Sequence, residues 1–279
     1  KAISTFFAPN RTDDRKSLLK SIDAESCINY ETSSTTFEDF CYKEYIHHCA
    51  ADNERSIASG IDGLKPSQRK ILHTELSRNS SSELKVASLA ARTVDSAAYH
   101  HGEASLVSTI MSMAQQHCGT NNIAYLEPIG QFGSKMHPRD KGLAAPRYVF
   151  TRAAPIARKM FPTKDSAVLT YMEDDGQEIE PRYFVPVVAN ILINGCEGIG
   201  TGYKTTVPNY NPLDVIAATK AFIDSSMTSV PKILPYFADF KGTTEFDDAE
   251  NAVTFTGVYE IKGQTILVTE LPPTKWSQP

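Results

Sequence analysis

Arg147 and Tyr148 are adjacent in the stretch "AAPRYVFT", residues 144–151, and together they suit one kind of chemistry. A phenol ionises near pH ~10, and a cation beside it favours the phenolate while also holding a phosphate oxygen. A phenolate that attacks a phosphodiester makes a phosphotyrosine ester and frees a sugar hydroxyl. That hydroxyl can attack back and reseal the strand, because the bond energy is kept in the ester. The charge on the phosphoryl oxygens calls for further cations or a divalent metal. Tyr148 is also one of 12 tyrosines, and an aromatic at a loop end is an ordinary packing residue. Both readings stay open on the pair alone.

Three other groups carry possible chemistry. In "YHHGE", His100, His101 and Glu103 resemble metal ligands. They lack cysteine partners or a His-x3-His helix, so a phosphate hydrogen bond or a helix cap fits better. Asp174 and Asp175 form an acid pair in "EDDG", where the tip of a hairpin explains them equally well. The Gly-rich "NGCEGIGTGYK", residues 194–204, has no Gly-Lys-Ser/Thr and no following helix, so it fails as a phosphate loop. Its glycines fix a tight turn that presents Ile199, either to a core or as a wedge between base pairs.

The elements that must position these residues follow from the patterning. The 279 residues are 41% hydrophobic and 22% charged, enough for two domains and a core. The longest apolar run, residues 183–193, is too short to span a bilayer, and no membrane is expected as a partner. The start shows no signal peptide, and the chain reads as part of something longer. Five cysteines without a C-x-x-C pair point to a reduced, intracellular setting and away from zinc. The net charge is −5, yet residues 55–159 hold 14 Lys and Arg against 7 Asp and Glu. The remainder holds 14 basic and 26 acidic residues. A basic segment in an acidic chain marks either a polyanion site or a solvated charged face.

Residues 1–35 read as a lead-in linker. Thr36 is placed to cap a helix over 37–49, Pro66 to open a second, Ser82 to cap a third through 93, and a fourth is expected over 103–117. Three short helices from Pro66 onward resemble a helix-turn-helix core. The Gly-rich stretch 119–147 follows, carrying Lys135, Arg139, Lys141 and Arg147, as a DNA-facing wing would. Beyond it the pattern predicts a short basic helix over "APIARKMF". A hairpin turning at Asp175–Gly176 comes next, then a helix over "PLDVIAATKAFI". The last expected elements are two strands around Lys262–Gly263.

Seven ordered blocks then become recognisable. They are "DNERSIASGIDGLKPSQRKIL" (52–72), "ELKVASLAART" (83–93), "AYHHGEASL" (98–106), "EPIGQFGSKMH" (127–137), "AAPRYVFT" (144–151), "ILINGCEGIGTGY" (191–203) and "DFKGT" (239–243). Together they closely resemble the DNA breakage-and-rejoining region of type IIA DNA topoisomerases, in the eukaryotic topoisomerase II branch, over about residues 10–279. The resemblance implies an α+β fold: a winged-helix domain at 46–185, then part of a mixed α/β tower domain at 186–279. Residues 1–45 would follow a Toprim domain. It implies that Tyr148 becomes linked to a DNA 5′ phosphate and that Arg147 helps to bind that phosphate. Arg55 and His101 match phosphate contacts, Lys65 and Arg69 match backbone contacts, and Ser105 and Thr109 fall on the helix beside the cut. Lys135 and Lys141 are further DNA-binding candidates on the basic loop. Ile199 matches an isoleucine that intercalates and bends DNA.

Family members usually read "HGGKD" where this chain reads "HPRDKG", residues 137–142, one residue longer. Lys141 is the candidate to keep that lysine's role, and the change points to a divergent lineage, viral or protist. The chain has no Toprim-type acidic block and no ATPase motif. Magnesium and ATP are therefore expected on other segments of the full-length enzyme, with no metal site here and no cleavage by this piece alone. The implied partners are double-stranded DNA and, in the full-length enzyme, a second copy of the chain as a homodimer. The implied location is nuclear, or the cytoplasm or nucleus of a host cell if viral. The rival reading is a winged-helix DNA-binding module without chemistry of its own.

Overall fold

The computed structural model describes residues 1–78, 80–247, 249 and 252–278. The chain divides into two compact units, residues 1–58 with 196–206 and residues 59–195 with 207–279.

The first unit starts with helices α1 (Ala2–Phe7) and α2 (Thr12–Lys20), where a linker was expected. They fold because Ala2 and Phe6 have an apolar partner face: both are buried with Cys41, Ile46 and Cys49. The helix expected over 37–49 is a longer helical run. Thr36 caps α3 (Phe37–Phe40) by accepting the Asp39 N–H at 3.0 Å. A π-helical turn, Cys41–Tyr45, leads into α4 (Ile46–Ser56). Residues 46–58, expected to open the second domain, belong to this unit. A two-stranded ribbon, Cys196–Ile199 with Lys204–Val207, contributes its tip.

The second unit is built on α5 (Pro66–Leu76), α6 (Val86–Ser96) and α7 (Glu103–Ala114). Pro66 presets the first turn of α5, and the Gln68 side chain accepts the Lys65 N–H at 2.9 Å, satisfying an orphan donor. Leu72, Leu89, Leu106 and Ile110 are fully buried among the three helices. α6 starts later than expected. Leu84 and Lys85 pair as a strand with Thr151 and Phe150, so their backbone is already in use when the helix begins at Val86. α7 ends at Ala114, not at 117, because Gln115 turns extended and sends its side chain to the carbonyls of Phe132 and Arg139.

The remaining elements follow the expected order, with α9 added to it. They are α8 (Pro155–Met160), the hairpin Tyr171–Asp174 with Gln177–Pro181, α9 (Asn190–Asn194) and α10 (Pro212–Asp224). Residues 252–270 form three strands where two were expected. Ala252–Thr256 pairs with Thr243–Asp247, while Val258–Lys262 pairs with Thr265–Glu270. All five cysteines are free thiols. No described helix is long and apolar enough to cross a membrane.

Candidate nucleic-acid interface

Tyr148 is 68% exposed, and the Arg147 guanidinium carbon stands 4.9 Å from its ring centroid. The pair is held by its neighbours. Val149 is buried, and its carbonyl accepts the Val86 N–H at 3.0 Å. The Pro146 carbonyl accepts the Ala87 N–H at 3.2 Å. The otherwise unpaired first-turn donors of α6 thus grip the loop on both sides of Tyr148. Phe150 and Ile129 exchange two backbone hydrogen bonds, of 2.9 and 3.1 Å. A buried residue immediately after an exposed pair fixes which way the pair faces. The result is an outward phenol with a cation on its ring face.

The Tyr99–His101 turn is anchored from below. Lys70 on α5 donates to the Ala97 carbonyl at 2.6 Å and to buried Glu180 at 2.9 Å. His100 Nε2 lies 2.7 Å from Asp174 Oδ2, which ties the turn to the hairpin at 171–181. The two groups read from sequence as separate acid and histidine sites are therefore partners. His101 is left exposed, its ring edge-on to Tyr99 at 5.4 Å. On α7, Ser105 is exposed and Thr109 half-buried, with the Thr109 hydroxyl donating to the Ser105 carbonyl at 2.9 Å. Lys65 is half-buried at the start of α5, and Lys141 is exposed on the loop.

Two expected DNA contacts are corrected. Arg69 is 5% exposed and makes a two-point ion pair with fully buried Asp62, Nε to Oδ2 at 2.7 Å and an outer nitrogen to Oδ1 at 3.0 Å. It also donates to the Leu64 carbonyl at 3.0 Å. This guanidinium is buried and spends its Nε and one outer nitrogen on Asp62 and Leu64, so it organises the fold. Lys135 donates to the carbonyls of Pro272 and Pro273, at 2.7 and 2.5 Å, so its ammonium is engaged within the protein.

Arg55 and Ile199 belong to the other unit, where α4 links them. Asp52 pairs with Arg55 at 3.1 Å and lies 3.4 Å from the Thr201 hydroxyl. The Asn53 amide donates to the Thr201 carbonyl at 2.9 Å. Gly198 and Gly200 flank Ile199 and press against α4: a Cβ on either would collide with the Ser56 carbonyl or the Asn53 side chain. With both flanks against the helix, the Ile199 side chain stays 69% exposed. The core alternative for Ile199 is thereby set aside.

A profile of the DNA gyrase/topoisomerase IV family, built on the A subunits of those enzymes, matches residues 55–279. The chain belongs to the type IIA DNA topoisomerases. It is 41% identical over 278 residues to DNA topoisomerase 2 of Plasmodium falciparum, covering 99% of this chain and 20% of that protein. It is also 41% identical over 290 residues to DNA topoisomerase 2-alpha of Mus musculus, covering 99% and 19%. A crystal structure described as the Plasmodium falciparum topoisomerase II DNA-binding, cleavage and re-ligation domain superposes with a TM-score of 0.88 at 41% identity. That match covers 99% of this chain and 38% of that one. The chain thus spans about a fifth of the length of these type IIA relatives.

Within this topoisomerase chain, the structure adds two features beside the candidate residues that sequence reasoning did not single out. Ser108 and Ser112 continue the face of Ser105 and Thr109 at helical spacing, a signal present in "SLVSTIMS". The His100–Asp174 link joins residues 74 apart and leaves no local signal. Among the described residues, no group of three His, Cys, Asp or Glu side chains is placed to hold a metal ion.

Two histidines set a pH dependence. Burial pushes the His73 and His117 imidazoles below the ordinary value of 6.5, helped by Lys70 in the first case and by Arg139 and Lys135 in the second. Their unfolded forms bind protons first, so stability is full above about pH 6.5 and falls as pH drops toward the folded-state values. The melting temperature is expected to fall between pH 7 and 5, each kcal/mol being worth about 2–4 °C in a domain of this size. A His73→Gln/His117→Gln variant should show a smaller fall over the same range. An equal fall in the two proteins would assign the effect elsewhere.

Proposed function

We propose that this chain is the strand-cleaving region of a type IIA topoisomerase, binding duplex DNA and supplying Tyr148 as the nucleophile. The exposed phenol beside Arg147, on a loop gripped by α6, carries the reading. The solved relative, described as a DNA-binding, cleavage and re-ligation domain, supports it. In the reaction, the phenol loses its proton and the oxygen attacks phosphorus. The bond from phosphorus to the sugar 3′ oxygen breaks, and that oxygen takes up a proton. The protein is left on the 5′ phosphate, and reversal reseals the strand. Arg147 and His101 face the scissile phosphate, while Lys65, Lys141, Ser105 and Thr109 face the adjoining backbone; Arg55, on the other unit, is a phosphate contact of its own. Arg69 and Lys135 have no part in this, being committed inside the protein.

In this reading α5–α7 and the bridged segments around 126–132 and 143–153 are the winged helix of a domain that starts at residue 59 and not at 46, and 186–195 with 207–279 are part of the tower. The longer protein, a homodimer, opens one duplex through two copies of Tyr148 and passes another through the gap. Magnesium stabilises phosphoryl charge and ATP drives the cycle. We assign both to other segments of the longer protein. The setting is intracellular, nuclear or within a host cell. The rival is a DNA-binding module without chemistry, and protein retained covalently on DNA under denaturing conditions separates the two. Retention by the longer enzyme supports cleavage, and its absence supports the module.

Ile199 is proposed as the wedge that unstacks a base step and bends the duplex. Ile199→Ala should lower the bend angle measured by energy transfer between dyes at the DNA ends. Affinity should change by only about 1–2 kcal/mol, the scale of a few lost apolar contacts. An unchanged bend would remove Ile199 from this role.

A further inference from the structure

The loop that leads to Tyr148 is clamped by a segment far from it in sequence. Residues 272–278 run along it. The Ser277 and Gln278 N–H groups donate to the carbonyls of Lys135 and Met136, at 3.4 and 2.7 Å. Lys135 in turn donates to the carbonyls of Pro272 and Pro273. Its ammonium lies 5.2 Å from the centroid of the Trp276 ring, and His117 packs edge-on to the same ring at 6.0 Å. The Pro273 carbonyl also backs onto Gly119, whose φ is +89°, and any Cβ there would collide with it. On the other side of the loop, Gln115 holds the carbonyls of Phe132 and Arg139 at 3.0 and 2.8 Å. The loop closes where Ala144 N–H meets the Gln131 carbonyl at 3.1 Å, four residues before Tyr148. The loop is therefore held from two sides, and Trp276 with Lys135 forms one of them.

We propose that Trp276 is a positioning residue for strand cleavage: docked on Lys135, it fixes the 133–142 loop and so the register in which Arg147 and Tyr148 meet the phosphodiester. This rests on the cleavage reading above. Two N–H groups of Lys135 are fixed on carbonyls and its charge sits by an indole face, the strongest aromatic partner for a cation. Small displacements of a reacting group are costly, about 100-fold for roughly 1 Å.

Trp276 is the only tryptophan in the chain, so its fluorescence reports the clamp directly. In the 279-residue chain, Lys135→Met should shift Trp276 emission to the red and increase quenching by acrylamide. Emission and quenching identical to wild type would overturn the clamp. In the longer enzyme, Trp276→Ala should lower covalent complex at saturating DNA by about 10- to 100-fold. DNA affinity should stay within about twofold of wild type, and Trp276→Phe, which keeps a ring face for the ammonium, should restore most of the yield. Wild-type yield in Trp276→Ala would overturn the positioning role. If Trp276→Ala melts early, Lys135→Met in the longer enzyme decides, with the same loss expected and wild-type yield again overturning it. A wild-type enzyme that forms no covalent complex would defeat the cleavage reading, while the emission measurement still judges the clamp.

Discussion

Tyr148→Phe in the longer enzyme should abolish the covalent protein–DNA complex and leave the fold and DNA affinity almost untouched. The change removes one oxygen from a side chain that is 68% exposed. The ring that receives the Arg147 guanidinium survives, so the local cation–π contact is kept. Exposed substitutions of this kind shift stability by less than about 0.5 kcal/mol. The chemical effect is of another order, because no neighbouring group can form the phosphotyrosine bond. Loss of a nucleophile costs on the order of a million-fold in rate where it has been isolated. Gel retention of protein on DNA under denaturing conditions reads the complex, and fluorescence anisotropy reads the affinity. Covalent complex at the wild-type level would remove Tyr148 from the reaction.

Asp62→Ala should be the most damaging change to the fold. Its carboxylate accepts four donors: two from Arg69, the Leu64 N–H at 2.9 Å and the Phe184 N–H at 3.0 Å. Removing it leaves a buried guanidinium without its counter-charge and two backbone N–H groups without acceptors. Breaking a buried ion pair in this one-sided way costs about 3–5 kcal/mol. A folded domain has only about 5–15 kcal/mol in total, so much of the stability would go. Denaturant titration of the 279-residue chain measures it, and a loss below about 1 kcal/mol would mean that water or a rearranged partner replaces the carboxylate. A double change, Asp62→Leu with Arg69→Met, should recover only part of the loss. It removes the stranded charge but leaves the Leu64 and Phe184 N–H groups unpaired.

Arg69 also shows where sequence reading stops. Its place in a basic helix suggests a surface cation, and its acid partner lies seven residues before it, in the turn outside the helix. The third component of that site, the Phe184 N–H, comes from 122 residues downstream. Lys135 is similar, since the carbonyls that engage it belong to residues 137 and 138 positions away. Local chemistry was legible where it was decisive. Pro66 starts α5, Thr36 caps α3, and the glycines around Ile199 expose it as the turn pattern suggests. It failed where distant pairing overrode it. Ser82 has the character of a helix cap, but Leu84 and Lys85 are claimed by the strand at 150–151 before the helix begins. Residues 252–270 look like one pair of strands because Gly257 breaks the run without a turn sequence around it. Each half then finds a different partner. Residues 1–20 look polar enough for a linker, yet Ala2 and Phe6 suffice to bury against Cys41 and Ile46.

The central claim concerns one atom of one residue among 12 tyrosines. The direct measurement is to trap the longer enzyme on DNA with denaturant, digest both components, and sequence the nucleotide-bearing peptide by mass spectrometry. The account predicts a single modified peptide containing "APRYVF", with Tyr148 carrying the 5′ phosphate of the cut strand. A modified residue other than Tyr148, or a link to the 3′ phosphate, would contradict it.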